Sequence, residues 1–213
     1  NTRRMARRIR TLFDEGPPCL LPDVTLITQP GETWKLGEIP QAVSPLRRRL
    51  VLVQLVTALL DKQPELAPRS SIYGFADSLA NLIDEMQGEG VSAADIAQLD
   101  VTDQSGHWER AQQIFDIAQR YLSQTDSAPD AEARQRQSIQ TLIAQWEVTP
   151  PALPVSLAGS TGSRGTTAML MHAVAPLPQG AVVLPGFDFD MPTAVWADLD
   201  DALAAAKKGI ALW

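Results

Sequence analysis

Between Pro45 and Trp146 apolar residues return every three or four positions, and after Pro154 they gather into short uninterrupted blocks. The first pattern predicts amphipathic helices, the second buried strands. Leu46, Leu50, Val53, Leu59 and Leu60 predict a helix that starts at Pro45 and stops before Pro64. Ser70 or Ser71 caps a second helix, with Ile72, Phe75, Leu79, Leu82, Ile83 and Met86 inward and Gly88 and Gly90 as its stop. A short helix runs from Ser92 to Leu99. Another opens at Ser105 with Trp108, Ala111, Phe115, Ala118 and Leu122 on one face, and a last one carries Ile139, Leu142, Ile143 and Trp146.

Beyond Pro154 the pattern changes. Val155-Ser156-Leu157-Ala158 is a strand, Gly159, Gly162 and Gly165 punctuate a turn, Thr166 to Ala175 is helical, and Ala181-Val182-Val183-Leu184 is a second strand of buried type. This βαβ unit places the chain in the α/β class with a parallel, Rossmann-like sheet, whose ligands gather at the carboxyl ends of strands. The GSTGSRGTT turn and the GFDFD loop both fall there. A helix through Leu203, with Trp196 and Leu199 inward, follows Pro192; no function attaches to the tail 199–213.

The opening residues Asn1 to Phe13 predict another amphipathic helix, capped at Asn1 or Thr2. Met5, Ile9, Leu12 and Phe13 form its buried stripe, and Arg3, Arg4, Arg7, Arg8 and Arg10 fill the rest. Val24-Thr25-Leu26-Ile27-Thr28 reads as a strand after it, as in a crossover whose first strand lies outside the chain. A helical insertion of this size exceeds an ordinary crossover. Residues 1–44 and 147–213 are therefore expected to form a partial sheet domain and residues 45–146 an all-helical insertion subdomain.

Charge sharpens this picture. The net charge of −7 divides into nine Lys/Arg against five Asp/Glu in residues 1–50 and nine against twenty in the remainder. A basic segment on an acidic body suits an anionic partner, or is a solvated helix face. The single Cys19 rules out a disulfide framework and a Cys-based zinc site and points to a reducing, cytoplasmic setting. No apolar run is long enough to span a bilayer, and no membrane partner is expected.

Candidate chemistry is sparse. A phosphate loop needs Gly-Lys-Ser/Thr after four intervening residues; counting from Gly159, position 164 is Arg164, and Gly165 is followed by Thr166. What remains is a looser anion nest of Gly162, Ser163, Arg164, Gly165 and Thr166 at a helix start, or a tight turn needing glycine for its backbone alone. Asp188 and Asp190 would be magnesium ligands only with a third group, and otherwise are a loop residue and a helix cap. Asp84-Glu85 reads as a solvated pair, and His107 and His172 as structural. No GxSxG elbow occurs, so no catalytic residue and no metal site is assigned.

The segments NTRRMARRIRTLFDEG, PLRRRLVLVQLV, SLANLIDEMQGEGV, SGHWERAQQIFDIAQRYL, PDAEARQR and AGSTGSRGTTAMLMHAVAPLPQGAVVLPGFDFDMP resemble the N-terminal part of the AddB family of double-strand-break repair subunits, in its alphaproteobacterial type. The likeness runs from Asn1 to about Asp198. AddB pairs with AddA in an ATP-dependent helicase–nuclease that processes broken DNA ends for recombination. The resemblance implies a P-loop, superfamily I helicase-like fold that has lost its motor function. Its first strand and phosphate loop would precede this chain. The family's nuclease carboxylates and iron–sulfur cysteines have no counterparts, so no cofactor is expected in this segment.

In that frame the strand VSLAG ends in Ala158-Gly159, where an active helicase keeps an Asp-Glu pair for Mg²⁺. Asn1-Thr2-Arg3-Arg4 falls where such helicases have a Thr/Asn motif that contacts single-stranded DNA. Thr2, Arg3 and Arg4 are the carried-over nucleic-acid residues; Arg7 and Arg8 join them on charge alone. The expected partners are DNA, single-stranded or at broken ends, and an AddA-type subunit. The alternatives are a nucleotide- and Mg-binding phosphohydrolase using the loop 159–167 with Asp188 and Asp190, and a pure protein-interaction domain that docks through the basic helix.

Overall fold

The computed structural model describes residues 3–27, 39–92, 94–95, 98, 107–122, 128–186, 190, 192 and 194–195. Within them the fold is mixed α/β and mostly helical. In chain order the elements are α1 (Arg3–Asp14), α2 (Pro45–Lys62), a single 3₁₀ turn (Arg69–Ser71), α3 (Ile72–Glu89), α4 (His107–Leu122), α5 (Ala131–Val148), β1 (Val155–Ala158), α6 (Gly165–Val174) and β2 (Gly180–Val183).

The start of α2 and the end of α3 have local causes. The Ser44 hydroxyl accepts from the Arg47 N–H ahead of Pro45, which fills the first helical position of α2 where an N–H has no partner to lose. α3 runs through Gly88 and stops at Gly90, whose φ of 78° lets the Val91 N–H turn back to the Met86 carbonyl at 2.8 Å. Beyond it, Ser92 and Asp95 cap each other: the Ser92 N–H and hydroxyl donate to Asp95 Oδ2, and the Asp95 N–H returns to Ser92 Oγ. Those bonds, the hydroxyl's first, hold the Asp95 carboxyl below its ordinary range.

The βαβ unit forms where the apolar blocks place it. β1 and β2 pair in parallel, Val155 opposite Gly180 and Ala158 opposite Val183, with α6 as the crossover. β2 is less covered than a buried-type strand. Ala181 and Val183 are exposed, alternating with half-buried Gly180 and Val182, because α6 lies on one side of a sheet that has two strands among the described residues.

Two apolar cores organise the rest. The first joins α2, α3 and α4 through Leu52, Val56, Leu60, Ala76, Leu79, Ile83, Met86, Ile117 and Ala118. The second joins Ile139, Leu142 and Trp146 of α5 to Leu157 of β1 and to Leu170 and Val174 of α6. The predicted helical stretch 45–146 thus divides: its last helix packs with the sheet.

Several expectations are corrected. The α2 stripe is rotated, so that Leu52, Val56 and Leu60 are buried while Leu46 is 68% and Leu50 55% exposed. The four-residue steps among the first three define the face that meets α3. In α1, Ala6 is buried and Ile9 half-buried, but Met5, Leu12 and Phe13 are exposed. Residues 24–26 are irregular and Ile27 lies in a turn, not a strand; the Arg10 guanidinium holds the Val24 carbonyl at 2.7 Å, where a ladder neighbour would be needed. Of the expected solvated pair, Glu85 is exposed, while Asp84 is half-buried and bonded to Arg48. Asn1, Thr2, Thr28, Ser105, Phe187 to Phe189 (with Asp188), Trp196, Leu199 and the tail lie outside the described residues, as do the side chains of His107, Trp108 and Ala111. Among the described residues no helix is long and apolar enough to cross a membrane.

Candidate nucleic-acid interface

α1 separates its residues by chemistry. At 100° per residue, Met5, Ala6, Ile9, Leu12 and Phe13 share one arc and the five arginines take the opposite one. Arg3, Arg4, Arg7, Arg8 and Arg10 are all exposed. Arg10 is tied to the Val24 carbonyl, and among the described residues none of Arg3, Arg4, Arg7 and Arg8 enters an ion pair. Four guanidinium groups on a helix about 18 Å long repel one another until an anion lies across them. Each offers five donors in a planar fork suited to phosphate. Thr2, the other carried-over residue, lies outside the described residues.

The Gly-rich loop is arranged differently. Gly159 and Gly162 take positive φ values of 77° and 71°, which turn the chain from β1 into α6. The structure brings Gly162, Ser163, Arg164, Gly165 and Thr166 together at the helix start, where backbone N–H groups would face an anion. That place already holds a carboxylate. The Gly165 N–H donates to Glu89 Oε1 at 2.8 Å, and the Thr166 hydroxyl donates to the Gly88 carbonyl at 2.9 Å. Arg164 sits 3.5 Å from Glu132. A polar cleft of about 230 Å³ lies beside them, lined by Gly88, Glu132, Gln135, Ser160, Ser163, Arg164, Thr166 and Thr167. With Glu89 on the first N–H and Arg164 paired with Glu132 in the wall, the groups that would hold a phosphate are already answered from within the chain.

A third charged assembly escaped the sequence reading. Arg48 places Nη2 at 2.9 Å from Asp84 Oδ1, Nη1 at 3.1 Å from Asp84 Oδ2, and Nε at 3.2 Å from Asp130 Oδ2. Its side chain is 14% exposed. Asp130, buried at the start of α5, also accepts from the Tyr121 hydroxyl at 2.8 Å and from Gln87 at 3.1 Å. Burial alone would lower the Arg48 guanidinium, but the hydrogen bond to Asp84 and the charges of Asp130 and Asp84 outweigh it and hold it above its ordinary value. Burial first, then the bond to Asp130, pushes the Tyr121 hydroxyl up to about 12. The signal for Arg48 was its spacing: it stands four, eight and twelve residues before Leu52, Val56 and Leu60, on the stripe that faces α3.

No protein-family model matches the chain, and neither a curated protein nor a solved structure matches it. Asp190 lies in a turn before a short helical segment at 194–195, and its suggested companion Asp188 is outside the described residues. His172 is exposed on α6.

Proposed function

We propose that this chain is a non-catalytic, helicase-like part of an AddB-type subunit that serves as scaffold and DNA-contacting surface in an AddAB-type helicase–nuclease. Its partners in this reading are an AddA-type subunit and single-stranded or broken-end DNA. The observation that carries it is the α1 surface, four exposed arginines that no acidic side chain among the described residues answers. The likeness that runs from Asn1 to about Asp198 supports the family reading, and the parallel βαβ unit with its large helical part is compatible with a helicase-like sheet domain. Arg3, Arg4, Arg7 and Arg8 bind phosphates and set the position of the strand; they read no bases. The loop 159–167 acts as a structural joint here, since its first helical N–H is taken by Glu89.

Fluorescence anisotropy of a labelled single-stranded oligonucleotide across a salt series tests this. Three to four neutralised phosphates give a log–log slope of about −2 to −3 for single strands, and Arg3/Arg4/Arg7/Arg8→Ala abolishes it. Binding that survives the quadruple variant with its slope intact removes α1 from the interface. A second reading has its own observation: Met5, Leu12 and Phe13 are exposed on the arc opposite the arginines, apolar surface that docking on a protein partner would cover. Binding to an AddA-type subunit with no affinity for DNA favours it.

A further inference from the structure

The two apolar cores do not merge. Between them runs a seam made of polar contacts. Asp130 at the head of α5 is held by Arg48, Gln87 and Tyr121, one residue from each helix of the first core. Arg136 of α5 donates to the Gly88 carbonyl at the end of α3 at 2.9 Å. Gly165 and Thr166 of α6 bond to Glu89 and Gly88. Its chemistry sets this seam apart from a core. Apolar cores resist sliding because their side chains interlock, whereas polar contacts exchange for other polar contacts or water at small net cost. The polar cleft opens on the same seam, with Gly88 on one side and residues of α5, the loop and α6 on the other.

We propose that α2–α4 and α5–β2 are two bodies that shift against each other across this seam. The Glu89–Gly165 and Gly88–Thr166 hydrogen bonds are the latch that holds the arrangement seen here. The joint is the contact of Asp130 at the head of α5, where the chain passes from the first body to the second, and motion there changes the cleft without disturbing either core. This differs from the DNA reading, rests on other residues and stands if that reading fails.

Paired spin labels on the full chain, in a Cys19→Ser background, test it. Ala58→Cys with His172→Cys measures across the seam, and Gln54→Cys with Asn81→Cys measures within the first body; all four sites are exposed. The cross-seam pair gives a wider distance distribution or a second maximum, and the pair within one body gives a single narrow one. Glu89→Ala with Thr166→Val removes both latch bonds and moves the cross-seam populations by about tenfold. A cross-seam distribution as narrow as the internal one, unchanged in the latch variant, overturns the proposal. If the latch variant fails to fold, the comparison of the two label pairs in the otherwise native chain still decides.

Discussion

Arg48 and the arginines of α1 are the same residue type under opposite terms. Arg48 is enclosed, and two carboxylates of the chain answer its charge. Arg3, Arg4, Arg7 and Arg8 stand in solvent, and among the described residues nothing acidic reaches them. A charge answered from within serves the fold, because burying it unpaired would cost more than the fold can spare. Charges left open cost little in water, contribute little to stability, and remain available to an outside anion. The start of α6 belongs with Arg48: a site that would suit phosphate has been closed by Glu89.

The comparison is broken most forcefully at Asp130. Asp130→Ala leaves Arg48 half-answered in a buried seam and frees Tyr121 and Gln87, so stability falls by about 3 kcal/mol or more in denaturant titration. Replacing the four α1 arginines by alanine does the reverse: the unfolding midpoint stays within about 0.5 kcal/mol of the parent, while affinity for single-stranded DNA drops by roughly a hundredfold at low salt. A large loss of stability in that variant would mean these arginines are structural after all. Tyr121→Phe removes one bond to a buried carboxylate and costs about 1–2 kcal/mol near neutrality. Its pH dependence follows from the hydroxyl held at about 12 in the folded chain, against about 10 when unfolded. The protonated form is the one the fold prefers, so its contribution is complete below pH about 10 and is lost as pH rises toward 12. Thermal melts of parent and variant should therefore converge across that window, and a constant gap sinks the assignment. Least affected are Leu46→Ser and Leu50→Ser. Both side chains lie outside the core, and each change should shift stability by no more than about 0.5 kcal/mol.

Local signals were legible and long-range ones were not. Val155 to Ala158 stood out because Pro154 and Gly159 bracket one apolar block, and β1 has those bounds. The inward face of α3 was legible from Leu79, Ile83 and Met86, and Gly90 from the helix it ends. Periodicity gave α1 as a helix and named its apolar arc, but it says which residues are alike, not whether anything covers them; Leu12 is 54% exposed. The stretch after Asp23 shows the same limit for strands, since β-branched residues become a strand only when a neighbour pairs with them. The seam was invisible for a related reason. Arg48 and Asp130 are far apart in sequence, as are Glu89 and Gly165, and no spacing rule links such partners. In the candidate site, the basic run was plain in the sequence, whereas the lack of ion pairs on Arg3, Arg4, Arg7 and Arg8 among the described residues required coordinates.

Gly90 carries more than the end of a helix. Its left-handed backbone suits no ordinary side chain, and a β-carbon built there would run into the Arg136 guanidinium, the group that reaches across to Gly88. Every amino acid one base change away from a glycine codon has a β-carbon. At this codon no missense mutation is conservative: each would loosen the stop of α3 and displace the arginine that ties the two bodies together, an inherited defect felt in both halves at once.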